Sequence, residues 1–422
     1  MKTESFNTPK LVLMLAALAV FLCAPTLHAQ DKTQKGTIQI PVNGIPVSPD
    51  TGRAEQKDIY DVVSSILKKA KKVPATKDTI TKKPTFSVIP AAGYTLVSRL
   101  VVTLTGNMAF RLDSTARIST VTSYISYTEN KQFLLPMESD IWTKNNKYDF
   151  VGDFRFYKYP QSTFGLGSNS DINSEDPMDY FYIRVYETAL RHIEGNLFAG
   201  AGYIFDYHTH ITEAGPKNGT PSDYQAYGPQ SRTTASGITL NVLYDNRDNS
   251  IYPEKGFYAA AAYRDNFDFL GSTTPWSSLV VDVRKYFRVP EGSDNVLAFW
   301  NYDWLILHGH PGFLDLPSTQ WDAYSSTGRG YIQGRFRGAQ EIYAETEYRF
   351  KVTANGLVGG VVFLNAATFS GAPGTKLESI QPGFGPGLRL KLNKVSKTNI
   401  AIDYGFGRQG SKGLFVNIGE LF

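Results

Sequence analysis

The sequence predicts an all-β protein: a transmembrane antiparallel barrel of about sixteen strands, preceded by a short periplasmic segment holding one amphipathic helix. Three observations predict it. From Thr85 onward apolar and polar residues alternate with a period of two, the signature of strands with two unlike faces. The connections between these runs are alternately short and long, as in a barrel with tight turns at one rim and loops at the other. Beyond the N-terminal segment no run of about twenty apolar residues occurs, so no helical span competes with the strands. Aromatics reach 13%, with Tyr (25) nearly equal to Phe (26), and Gly is frequent (37). This mixture suits amphipathic strands ending in interfacial aromatics.

The N-terminus reads as an address. Lys2 and Lys10 flank a polar start, Leu11 to Cys23 is apolar, and Ala29 offers a small residue for cleavage. Residues 1–29 are expected to be a secretory signal peptide, too short for a membrane helix. Phe21-Leu22 before Cys23 lacks the small residue that lipidation would want. Cys23 is the one cysteine, so disulfides and thiolate metal sites are not expected in the mature chain. Residues 30–83 form a linker. The stretch 31–83 carries a net +5 and the segment before it +1. The whole chain is +4, which leaves residues 84–422 at −2. Within the linker, AEQKDIYDVVSSILKKAKK (54–72) places Ile59, Val62, Val63, Ile66 and Leu67 on one helical face, with lysines at the C-terminal end, where the helix dipole favours them. Two readings stand: a helix that caps or plugs its own neighbour, or one that lies on a partner or membrane surface.

Residues 84–422 form the barrel. Strands are expected over 85–92, 98–110, 116–127, 132–142, 147–158, 178–190, 195–207 and 234–246. They continue over 256–267, 277–289, 295–307, 339–351, 355–365, 382–392, 398–406 and 413–422. In 339–351, Ile342, Ala344, Thr346, Tyr348 and Phe350 share one face, while Glu341, Tyr343, Glu345, Glu347 and Arg349 share the other. A soluble sandwich would bury the aliphatic face against a second sheet. The last strand argues for lipid instead: Leu414, Val416, Ile418 and Phe422 fall on one face, and a terminal aromatic fits an outer-membrane assembly signal. Only Glu420 breaks the set.

The segment GRGYIQGRFRG (328–338) puts three arginines and four glycines in a long loop between strands. Glycines let the backbone turn and pass close to a wall, and guanidinium groups seek carboxylates. The strands' inner faces supply charge: Asp153, Arg155, Arg184, Asp282, Arg284, Glu345, Glu347, Arg349, Arg389 and Asp403. The loop is therefore expected to fold back inside its own barrel.

GRGYIQGRFRGAQEIYAETEYRF (328–350) resembles the barrel of the BamA/TamA outer-membrane assembly superfamily, the bacterial surface antigen family. Arg329, Gly330 and Tyr331 match the motif of its sixth external loop, and Glu347-Tyr348 match the strand that follows. TLNVLYDNRDNSIYPEKGFY (239–258) resembles its long turn, with Asp245, Arg247, Asp248, Pro253 and Gly256 at matching places. GFGPGLRLKL (383–392) and IDYGFG to VNIGELF (402–422) resemble its last strands. There are departures. Gly328 stands where a branched aliphatic precedes the Arg. Asn365 stands where an acid would help hold it, leaving Glu347 as the main partner, with Glu345 or Asp403 as substitutes. The 53 residues before strand 1 are too few for a periplasmic module of the family's kind, so the chain looks like a barrel-only branch.

The resemblance implies an exported outer-membrane barrel that assists insertion or translocation of outer-membrane or surface proteins. Its expected partners are outer-membrane lipid and, through residues 54–72, a periplasmic chaperone or client. No cofactor, metal or nucleic acid is implied. Pro90 either weakens a first-to-last strand seam or merely ends strand 1. A passive porin with a loop constriction is the alternative. No G-x-S-x-G elbow, H-E-x-x-H or phosphate loop occurs, so an enzyme is not expected. Two His-x-His pairs, His208/His210 and His308/His310, would each share a strand face and offer four imidazoles. They lie on strands that are not neighbours.

Overall fold

The computed structural model describes residues 56–59, 61, 62, 65, 84–323, 325–394 and 397–422. The expected signal peptide and most of the linker lie outside these residues.

Alternation of side-chain chemistry becomes one antiparallel sheet of seventeen strands. They are β1 (Thr85–Thr95), β2 (Arg99–Phe110), β3 (Ser119–Thr128), β4 (Phe133–Trp142), β5 (Tyr148–Lys158), β6 (Gln161–Thr163), β7 (Asp176–Glu194), β8 (Leu197–Glu213) and β9 (Arg232–Asp245). Then follow β10 (Gly256–Asn266), β11 (Trp276–Arg288), β12 (Val296–Gly309), β13 (Gln340–Lys351), β14 (Val358–Phe369), β15 (Gln381–Asn393), β16 (Thr398–Phe406) and β17 (Lys412–Ile418). Each pairs with its sequence neighbours, except that the three-residue β6 adds only a short ladder on β7, and β5 pairs with β7 directly. Setting β6 aside leaves the sixteen strands that the alternation predicts.

The two faces differ as lipid and lumen require. Val102, Leu240, Val362, Leu364 and Phe384 are outward and exposed, while Arg155, Arg184, Asp282, Arg284, Glu345, Glu347, Arg349, Arg389 and Asp403 are buried inside. An apolar belt around an ionic interior is the arrangement of a membrane barrel. No helix among the described residues is long and apolar enough to cross a membrane.

Strand ends shift by several residues in β1, β3, β7, β8, β14 and β17, and the following departures bear on the site. β7 extends at both ends, to Asp176 and Glu194, and β8 runs on to Glu213 through a stretch of His and Thr. The expected pairing of His208 with His210 on one face is broken by a register shift opposite Asp179/Phe181, with His210 at φ +54°. His208 therefore points inward and is buried, whereas His210 is exposed. At the other end β17 stops at Ile418 instead of continuing to Phe422. The chain turns at Gly419, whose N–H donates to Asn399 O (2.8 Å). The final residues leave the lipid face and enter the interior.

β1 and β17 are the sheet's terminal strands. β1 pairs with β2 throughout, including Pro90 opposite Leu104, so Pro90 sits within the strand and not at its end. β17 pairs with β16. Among the described residues no backbone ladder joins β1 to β17, yet they abut: a Cβ on Gly413 of β17 would collide with the Leu96 side chain just after β1.

Below the barrel, the start of the amphipathic segment is seated against the short turns. Asp58 and Asp61 cap one another, each backbone N–H donating to the other's carboxylate at 3.0 Å, a reciprocal N-terminal cap. Lys57 N donates to Asn355 O (3.0 Å) in the β13–β14 turn. In the β15–β16 turn, Lys394 donates from its backbone N–H to Asp58 Oδ2 (3.1 Å) and from Nζ to Asp61 Oδ2 (2.8 Å). Ile59, Asp61, Val62 and Ser65 are helical. The remainder of 54–72 lies outside the described residues.

Candidate functional site: the returning sixth loop

The connection between β12 and β13, residues 310–339, is the sixth on the long-loop rim. Its polar groups find partners on β13, β15 and β16. Gly330 takes φ +106°, and a Cβ on it would lie 2.6 Å from Phe406 O. A side chain in this left-handed region is costly, so glycine alone lets the loop lie flat on β16. From there Arg329, 1% exposed, enters a cluster of charges. Its Nη2 donates to Glu345 and Glu347 and its Nη1 to Asp403 Oδ2 (2.6 Å), while the guanidinium lies 3.7 Å over the Phe363 ring.

The cluster extends further. Arg349 Nε donates to Glu347 Oε2 (2.6 Å). Arg389 donates to Asp403 Oδ1 (2.5 Å) and Glu420 Oε2 (2.8 Å). Three guanidiniums and four carboxylates, from the loop, β13, β15, β16 and the chain end, are thus gathered away from water. Such a cluster specifies geometry more than it adds stability, because desolvation offsets most of the attraction.

Tyr331 fixes the loop's next residue. Its hydroxyl donates to Pro382 O (2.6 Å) and accepts from Arg408 N (3.0 Å). Asn365 takes no direct part in the ion cluster; its amide donates to the backbone carbonyl of Arg329 (3.0 Å). The missing acid is made up by Glu345 and Asp403, both on the guanidinium. The loop's other two arginines depart from the expectation that they seek carboxylates. Arg335 donates to Ser170 Oγ, Ser170 O and Gln409 Oε1. Arg337 donates to Phe313 O at 3.1 Å. Arg335 thus reaches the β6–β7 and β16–β17 connections, whereas Arg337 ties the loop to its own earlier residues. Loop 310–339 thereby bridges opposite walls, with Tyr159 of the β5–β6 connection also donating to Gln333 Oε1 (2.5 Å).

The long-turn residues form a separate unit at the other rim. Asp245 accepts two bonds from the Arg247 guanidinium (2.9 and 2.8 Å). Asp248 Oδ1 accepts from Glu254 N and Lys255 N, and Pro253 is buried between them. Gly256 is required because a Cβ would stand 2.7 Å from Arg247 Cα. This motif is structural: it knots a turn and touches neither Arg329 nor the loop tip.

Ile418 and Phe422 part company. Ile418 is 63% exposed on the lipid face and Phe422 is 3% exposed inside. The Phe422 ring lies 5.1 Å from Trp300, and its carbonyl accepts from Arg349 Nη2 (3.0 Å). Glu420, an anomaly if the strand stays straight, is the residue the inward turn brings to Arg389 and Asn399. Gly followed by an acid inside an apolar run was the available signal. Asp322 was missed as well; its Oδ1 accepts from Ser326 N and Thr327 N (both 3.0 Å) and holds the approach to Arg329. Neither histidine pair belongs to a group of three or more metal-binding side chains among the described residues.

Residues 116–422 match the family model described as the Omp85 superfamily domain. Among solved structures, BamA from Haemophilus ducreyi lacking POTRA domains 1–3 is similar at TM-score 0.53 and 12% identity, covering 85% of this chain and 78% of that one. CdiB from Acinetobacter baumannii (TM-score 0.51, 11% identity, 81% of this chain) and CdiB from Escherichia coli (0.51, 11%, 79%) share the fold. The chain spans only 60% and 62% of those two CdiB chains. No curated protein sequence is similar to it at a significant level.

Proposed function

Because the chain belongs to the Omp85 superfamily of outer-membrane barrels, we propose that it assists insertion or translocation of outer-membrane or surface proteins, with the β1–β17 seam as the point of entry. The carrying observation is that seam. β1 and β17 lie side by side, yet among the described residues no backbone ladder joins them. Pro90 cannot donate along β1. An edge strand with unpaired backbone groups is a template for an incoming strand.

In this reading the docked loop 310–339 is a brace. It ties β13, β15 and β16, on the β17 side of the seam, to the β5–β7 wall, so that wall keeps its shape while the seam parts. The segment beginning at Gln56 sits under the turns at Asn355 and Lys394 and meets periplasmic clients or chaperones first. A steady open porin is the rival. The buried loop, the Arg329 cluster and the inward Phe422 all occupy the interior, which favours low or flickering conductance in planar bilayers.

The test is reconstitution. Vesicles holding the protein should insert a urea-unfolded outer-membrane client faster than empty vesicles. Equal rates would remove the reading. Deleting residues 31–83 should leave a heat-resistant barrel with slower insertion, and an undiminished rate would take that segment out of the mechanism.

A further inference from the structure

The periplasmic mouth contains a cavity of about 190 Å³ between the docked N-terminal segment and the turns after β9, β11, β13 and β15. Seven cationic side chains line it, against the carboxylates of Glu254 and Asp294. Much of this charge is already matched. Arg288 and Lys397 share Glu254, and Lys351 takes Asp294. Arg389 is held by Asp403 and Glu420. Two cations stand out. Lys391 Nζ meets the Lys397 carbonyl at 3.4 Å and the Tyr252 ring at 4.7 Å. Arg349 is 1% exposed, and its Nη1 has no hydrogen-bond partner among the described residues. A buried guanidinium N–H left unmatched is expensive, so it points to a missing acceptor.

One further atom narrows the ligand. Asn399 is buried and donates from Nδ2 to Glu420 Oε1 (2.6 Å), which fixes the orientation of its amide. Its Oδ1 is then an acceptor without a donor. The site therefore offers an unmatched N–H and an ammonium for negative oxygens, and an acceptor for one O–H. We propose that this cavity binds inorganic phosphate, which keeps a proton at neutral pH, or a phosphate monoester as its monoanion, whose remaining proton is otherwise lost at about pH 6. Sulfate has the same shape and no O–H to donate. Lys57 of the N-terminal segment also lines the cavity, so an occupied site would hold that segment against the barrel mouth.

The experiment titrates inorganic phosphate into the full mature chain in a zwitterionic detergent by calorimetry or ³¹P line broadening. Saturable one-site binding is expected. Lys391→Gln should weaken it about tenfold, the value of one charge-assisted hydrogen bond, while Lys376→Gln, on an exposed outer loop, should leave it unchanged. Sulfate should bind at least tenfold more weakly than phosphate. Competition by dihexanoyl phosphatidic acid, with dihexanoyl phosphatidylcholine as control, distinguishes the sources. Displacement assigns the site to a lipid monoester, and no displacement assigns it to soluble phosphate. If K391Q does not form a heat-resistant barrel, Lys57→Gln carries the test, with a loss of about threefold. The proposal is overturned if the unaltered chain shows no saturable phosphate binding, if sulfate binds equally well, or if the folded variant binds as the unaltered chain does.

Discussion

Replacing Arg329 by alanine removes the one loop-borne cation of the ion cluster. Glu345, Glu347, Asp403 and Glu420 would then face only Arg349 and Arg389. All four carboxylates are at most 1% exposed, so water cannot make good the loss. Removing one partner of such a buried pair costs about 3–5 kcal/mol. Each ~1.4 kcal/mol is tenfold, so undocked loop should rise by a factor of roughly a hundred to a few thousand. The assay places a single reporter, Ser326→Cys, on the loop, where Ser326 is buried. Labelling by a bulky maleimide in intact vesicles should be slow with Arg329 and at least a hundredfold faster with R329A, and the urea midpoint of the heat-resistant form should fall. Arg329→Lys should be intermediate, because one ammonium cannot span three carboxylates. Exchanging the charges of residues 329 and 347 should not rescue. An arginine placed at position 347 would meet Arg349, and a glutamate placed at position 329 would meet Glu345 and Asp403. Unchanged labelling and midpoint in R329A would refute the reasoning.

Gly330→Ala should destabilise docking by about 1–2 kcal/mol from backbone conformation alone, with the collision on Phe406 O added, read as faster S326C labelling. Asp61→Lys breaks an ion pair that is 35% exposed on both sides, so the unfolding free energy should fall by less than about 1 kcal/mol, while crosslinking between residues 61 and 394 should disappear. Asp315, on the docked loop, has its carboxyl pushed up to about 7, first by burial and then by nearby Asp206, against Arg264 and Arg337. A raised acid binds its proton more tightly when docked, so its contribution is complete below the free value near 3.8 and is lost as pH rises through about 7. S326C labelling, corrected for thiolate fraction, should quicken from pH 5 to pH 8, and Asp315→Asn should flatten that dependence.

Period-two chemistry made the strands legible, because lipid outside and charge inside demand opposite residues at neighbouring positions. Where that demand ends, so did the reading. The top of β8 loses strict alternation at the register shift beside His210. β6 has three residues, too few to show a period. The turn at Gly419 abandons lipid altogether, which is why Phe422 reads as a partner of Ile418 in sequence and lies apart from it in space. The loop's Arg and Gly content indicated a close approach to a wall, but not which wall. Glu345, Glu347 and Asp403 converge only because β13 and β16 curve around one lumen. Arg335 and Arg337 bind carbonyls that no sequence pattern distinguishes. The cavity below the barrel is assembled from four turns and a distant N-terminal segment, a combination visible only in three dimensions.

The seam is tested most directly by locking it. L96C/G413C places two thiols where a Cβ on Gly413 would stand 2.6 Å from Leu96 Cγ, a proximity from which a disulfide is expected to form on oxidation. The account predicts that the oxidised barrel in vesicles loses client insertion and that a reductant restores it. A locked barrel that inserts clients at the unlocked rate would contradict it.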